Sequence, residues 1–194
     1  DLVTVLAGAN DVFINLATVN ATVTAGGNGS QAAADAVAAM SAAGTELANI
    51  VRGQMLPRGA RRVVVVSIPD ITKTPFGATL PAQTAALVQQ MTQAFNDALG
   101  TGLASAAGAL VVDAYGASQT IAASPQTYGI GNNTGIACDP GATPLGSLTC
   151  NATTTLPGVN VSGYQWADSV HPTPLGHRVF ADVVMEKMRA FGWF

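Results

Sequence analysis

Two short polar clusters carry the side chains in this sequence best suited to chemistry. One is Gly8-Ala9-Asn10-Asp11; the other, about 160 residues further on, is Asp168-Ser169-Val170-His171-Pro172. An Asp and a His three apart, with Pro directly after, can share one loop so that the carboxylate accepts from one imidazole nitrogen. The other nitrogen then faces outward as a general base. Asn10 offers a side-chain amide N–H, a neutral donor suited to an oxyanion that develops during acyl transfer. His171, Asp168 and Asn10 thus supply a base, its orienting partner and an oxyanion donor, with no nucleophile beside them.

Plainer roles exist for each polar residue. Asn10 and Asp11 suit a turn and cap after a strand, and His171 suits a helix entry bonded to backbone. His177 reads as structural, and Asp70 and Asp113 as loop caps after strand ends. Ser67 is the one serine to weigh as a nucleophile, and it lacks the sharp strand-to-helix elbow that exposes such a group. Tyr164 and Trp166 either line an acyl pocket or anchor the surrounding loop. Asn20, Asn28, Asn132, Asn151 and Asn160 are glycosylation sequons where the source modifies them.

The composition removes several classes of function. Only 10% of the 194 residues are charged and the net charge is −3, against about 25% charged in an average soluble chain. Eight Lys and Arg cannot form the basic stripe that phosphate backbones require, so no nucleic-acid partner is expected. A mean hydropathy of +0.34 argues against disorder. No apolar run is long enough to span a bilayer, and the start at Asp1 carries no signal-peptide pattern. Cys138 and Cys150 have no His or further Cys nearby, too few ligands for zinc. A disulfide is the expected state, in preference to two free thiols. Such a bridge implies an oxidising compartment, secreted or periplasmic. No metal or cofactor is called for.

The positioning elements follow from hydrophobic pattern. Leu2 to Ala7 reads as a strand buried on both faces, Val63 to Ile68 as a second and Leu110 to Asp113 as a third. Between them, Ser30 caps a helix to about Arg52 with Ala33, Val37, Met40, Leu47 and Val51 as its stripe. Pro81 opens another helix carrying Leu87, Met91, Phe95 and Leu99. Alternation of strand and helix predicts an α/β fold with right-handed crossovers and a parallel sheet. From Tyr115 to Trp166 the chain holds a single charged side chain, Asp139, and reads as a short helix near Ala117 to Ala123 and then a long irregular excursion. The last helix runs from about Pro174 to Ala190 with Thr173 as cap, Leu175, Val179, Val183 and Phe191 as stripe, and Lys187 and Arg189 near its end. Three strands leave an edge and helix faces to cover, so one or two strands and a helix are expected to precede Asp1.

The two clusters resemble the GxND and DxxHP blocks of the SGNH or GDSL hydrolases, in that order. VVVVSIPDITKTPFG and the YG...C segment of the excursion resemble the secreted bacterial esterase and phospholipase-like branch. The resemblance implies a three-layer α/β/α domain, with residues 1–194 as its C-terminal portion and the excursion at about 115–166. It implies hydrolysis of a small-molecule, lipid or polymer ester through a Ser-His-Asp acyl-enzyme mechanism, without a cofactor. His171 would be the base, Asp168 its orienting residue and Asn10 an oxyanion donor, with Gly8 and Asp11 shaping the turn. The family's Gly-Asp-Ser block has no counterpart in this sequence, so the nucleophile would lie upstream or on a companion chain. The competing reading is a non-catalytic ligand-binding domain of the same fold.

Overall fold

The computed structural model describes residues 1–194. In chain order the elements are β1 (Val3–Leu6), α1 (Ala9–Thr24), α2 (Gly29–Ile50), β2 (Val63–Val66), α3 (Pro75–Ala78), α4 (Ala82–Leu103), β3 (Ala109–Val112), α5 (Ala114–Ala123), β4 (Asn132–Ile136), β5 (Tyr164–Trp166) and α6 (Pro174–Ala190). They form two compact units. Asp1–Asp70 and Pro81–Tyr115 make the first; Ile71–Leu80 and Gly116–Phe194 make the second.

The first unit is the expected α/β arrangement with a parallel sheet, of the kind found in α/β/α folds. Its strand order is β1-β2-β3, all parallel, with Val3, Val63 and Ala109 in register. The four consecutive valines of β2 are buried, as a central strand covered on both faces requires. β1 departs from expectation. It lies at the edge of this sheet and alternates half-buried and exposed residues, with Thr4 and Leu6 exposed, because an edge strand with one outward face cannot bury every side chain.

Helices α1, α2 and α4 pack on one another in this unit. α2 is capped by Asn28, whose side chain accepts from the Gln31 N–H, two residues earlier than the expected Ser30. Its buried face is Ala36, Met40, Gly44 and Ala48, continuing to Val51, whereas Ala33, Val37 and Leu47 are only half-buried. The reason is close helix approach. A Cβ on Gly44 would collide with the Phe95 carbonyl oxygen, and one on Gly102 would meet Ala48, so small residues hold the positions where α2 and α4 come closest. On α4, Met91, Phe95 and Leu99 are buried as expected, joined by Val88 and Leu103, while Leu87, expected on the same stripe, is half-buried.

In the second unit, Ile121, Ile130, Leu175 and Val179 form the core, with Tyr128 and Val183 packed against it. α6 has its expected bounds. Thr173 accepts from the Gly176 N–H and Pro174 occupies the first turn. Phe191, expected on the buried stripe, is exposed just past the helix end. The excursion holds more order than its composition suggests, since β4 and β5 pair in parallel within it. Several of its asparagines make local turns: Asn132, Asn151 and Asn160 each accept from the backbone N–H two residues on. At Asn151 and Asn160 the Thr153 and Ser162 hydroxyls also donate to the same amide oxygen, so there the N-x-Ser/Thr pattern has a conformational role.

Cys138 and Cys150 are bonded, with Cα atoms 5.8 Å apart. The bridge closes the segment that leads back toward the second polar cluster.

Candidate active site

The second cluster sits at the tip of a tight antiparallel hairpin in the second unit. The Ala167 N–H donates to the His171 carbonyl at 2.8 Å, the Thr173 N–H donates to the Gln165 carbonyl at 2.9 Å, and Trp166 faces Pro172 across the turn. Thr173 then starts α6, so the hairpin runs directly into a rigid element. On the other side, the Phe76 N–H of α3 donates to the Ser169 carbonyl at 2.9 Å. The tip is therefore held at both flanks.

Asp168 collects donors from three places. Its Oδ1 accepts from the Val170 and His171 backbone N–H groups at 3.0 and 2.8 Å, the local reach that makes Asp a turn residue. Its Oδ2 accepts from the Ser147 N–H at 2.7 Å, across 21 positions of sequence. The His171 Nδ1 lies 3.0 Å from Oδ1 and 2.8 Å from Oδ2. Partial burial pushes the Asp168 carboxyl up, but the Val170, His171 and Ser147 N–H donors and the His171 ring outweigh it. The carboxyl is held well below the usual carboxylate range.

An ionised carboxylate can only accept hydrogen bonds. The proton of neutral His171 therefore belongs on Nδ1, and Nε2 keeps its lone pair. The Asp168 side chain is 16% exposed and that of His171 63% exposed, so the carboxylate is shielded while the imidazole is open. The imidazole bonds the carboxylate and not the backbone, and the helix entry is capped by Thr173 instead.

Gly146 and Ser147 also belong to this cluster, although nothing in the sequence marks them. Gly146 has φ +60°, and a Cβ there would lie 2.7 Å from Asp168 Oδ2. Only glycine lets the Ser147 N–H approach so closely. The segment is fixed further by the Cys138–Cys150 bridge, since the Cys138 N–H donates to the Ala167 carbonyl one residue before Asp168.

The first cluster lies in the first unit. Asn10 and Asp11 stand in the first turn of α1, not in a free turn after the strand, and both are exposed. Gly8 precedes the helix at φ +106°. A Cβ there would strike Phe95 and Ile68 at 2.6 and 2.8 Å, so backbone and packing both demand glycine. Asp11 at the helix start is favoured by the macrodipole.

The remaining candidates take structural positions. Ser67 is buried, and its Oγ accepts from the Ala114 N–H at 2.9 Å. Asp70 is buried and Asp113 exposed. His177 lies on the exposed side of α6. Trp166 is 7% exposed and donates from Nε1 to the Asn133 carbonyl at 2.9 Å, which makes it an anchor of the excursion.

The family model described as GDSL-like Lipase/Acylhydrolase matches residues 1–184, a span that includes both clusters. No curated protein matches the chain.

Proposed function

The chain belongs to the GDSL-like lipase/acylhydrolase family, and from that premise we propose that it is a carboxylic ester hydrolase working through a serine ester intermediate. The single observation that carries this reading is the Asp168–His171 pair, with its carboxylate held ionised and its imidazole open. His171 Nε2 takes the proton of the attacking hydroxyl and returns it to the departing alcohol. Asp168 stabilises the imidazolium formed between those steps. A water molecule then attacks the acyl-enzyme with His171 again as base, releasing the acid.

Asn10 is assigned as oxyanion donor, and Gly8 and Asp11 as residues of its turn, on the GAND match. The nucleophile is assigned to a serine outside these 194 residues, in a Gly-Asp-Ser segment of the natural product or a companion chain. Ser67, buried and already bonded, is a poor substitute. The disulfide favours an oxidising location, secreted or periplasmic, and no helix is long and apolar enough to cross a membrane. The substrate is a small-molecule, lipid or polymer ester.

The test is p-nitrophenyl ester hydrolysis by the full-length natural polypeptide, with fluorophosphonate labelling in parallel. His171→Ala should abolish both turnover and labelling. More than a few per cent of residual activity would remove His171 from the mechanism. Absence of both signals in the unaltered protein would favour a non-catalytic ligand-binding domain.

A further inference from the structure

Two exposed leucines bracket the backbone that touches Asp168. Leu145 is 67% exposed and Leu148 86% exposed. Isolated surface leucines are ordinary, but between these two lie Gly146 and Ser147, and the Ser147 N–H is 2.7 Å from Asp168 Oδ2. Chain geometry alone then keeps both leucine Cα atoms within about 9 Å of that oxygen.

The turn that presents them is fixed. The Gly146 N–H donates to the Thr143 carbonyl at 2.9 Å, and the Cys150 N–H donates to the Ser147 carbonyl at 3.2 Å. Thr143 is itself buried, and Cys150 is bridged to Cys138. The stapled turn fixes the backbone that carries the two apolar side chains, so that part of the ordering cost is met before an apolar partner binds. Asp139 is the only charged residue from Tyr115 to Trp166, and the carboxylate bonded to the turn, Asp168, is largely shielded, its side chain only 16% exposed. Trp166, one of the two aromatic residues weighed for an acyl pocket, instead anchors the excursion through its Nε1–H.

We propose that Leu145 and Leu148 determine chain-length specificity, by receiving the methylenes of an ester's acyl chain as its carbonyl reaches His171. The inference rests on the ester-hydrolase reading above. It adds a substrate class, esters of medium-chain acyl groups in preference to acetyl esters, and the residues that select it.

The experiment compares p-nitrophenyl acetate with p-nitrophenyl octanoate on the full-length natural polypeptide. Leu145→Ser with Leu148→Ser should lower kcat/KM for the octanoate about tenfold, equivalent to withdrawing roughly two methylenes from apolar contact. The acetate value should stay within about twofold, since an acetyl group has no methylenes to place there. Leu148→Met, which keeps the apolar volume, should retain the octanoate preference. Equal losses on the two esters, or an unchanged octanoate value, would overturn the assignment. Hydrolysis of neither ester by the unaltered protein would instead refute the ester-hydrolase reading, and the specificity assignment with it.

Discussion

Replacing Gly146 by Ala tests whether the excursion controls the Asp168–His171 pair. Two costs are expected. The first is backbone strain, since φ +60° lies in the left-handed region where an L side chain costs roughly 1–2 kcal/mol. The second is specific, because the added Cβ would stand 2.7 Å from Asp168 Oδ2. Either the carboxylate or the turn must move, and the Ser147 N–H bond to that oxygen is lost. A hydrogen bond to a charged group contributes about 1.5–3 kcal/mol. Gly158→Ala separates the two costs, because Gly158 has φ +75° and a Cβ added there would meet nothing within 4 Å. In thermal melts, with about 2–4 °C per kcal/mol for a chain of this size, Gly146→Ala should lie below Gly158→Ala by roughly 3–12 °C. In ester hydrolysis, Gly158→Ala should match the unaltered protein. Gly146→Ala should lose about ten- to a hundredfold in kcat/KM if the same bond orients His171 in the transition state. NMR titration of the Asp168 carboxyl carbon provides a direct readout, with its midpoint moving back toward the ordinary range only in Gly146→Ala. Equal behaviour of the two variants in all three measurements would refute the proposed link between the turn and the dyad.

Three further outcomes follow from the same geometry. Because the folded Asp168 carboxyl is depressed, its stabilising contribution is complete above the unfolded value of about 3.9 and fades as pH falls toward the lower folded value. Urea unfolding of the unaltered protein should therefore weaken from pH 6 to pH 3 more steeply than that of Asp168→Asn, and parallel slopes would contradict the reading. Reducing Cys138–Cys150, which closes a loop of sequence separation 12, should cost about 3 kcal/mol; an unchanged Tm after confirmed reduction would show that the bridge adds no stability. Asn10→Ala should lower kcat by roughly two to three decades with KM little changed, whereas an unaltered kcat would take Asn10 out of the oxyanion role.

Legibility in the sequence follows how local each cause is. α6 can be read outright because Thr173, Pro174 and the spacing of Leu175 and Val179 all describe the same helix start. β2 is equally plain, since four valines in a row suit only a strand covered on both faces. α1 goes unread although Val12, Leu16 and Val19 recur at helical spacing and are buried. Its start has no Ser, Thr, Asp or Asn cap, because Gly8 holds that position with a left-handed backbone. The α2 stripe is misread for a different reason. Hydrophobicity ranks Val37 and Leu47 above Gly44, but contact with α4 selects by size once the backbones come close.

The candidate site divides along the same line. Asp168 and His171 are three apart, and the two nearer donors to the carboxylate come from Val170 and His171 themselves, so that part is visible in five consecutive residues. The third donor comes from Ser147, 21 positions away. Nothing about a serine announces it, because the contact uses only the main-chain N–H, which every residue except proline supplies. The constraint that sequence does carry is displaced by one position onto Gly146, where the approach of the carboxylate excludes a Cβ. In a stretch already rich in glycine, that one residue is indistinguishable from its neighbours until the hairpin and the turn are brought together. The disulfide has the same character. Cys150 is three residues from Ser147, and Cys138 bonds to the backbone of Ala167 beside Asp168. A bridge that reads as a staple for a loose loop therefore also ties both sides of a contact that helps hold the carboxyl below its ordinary range.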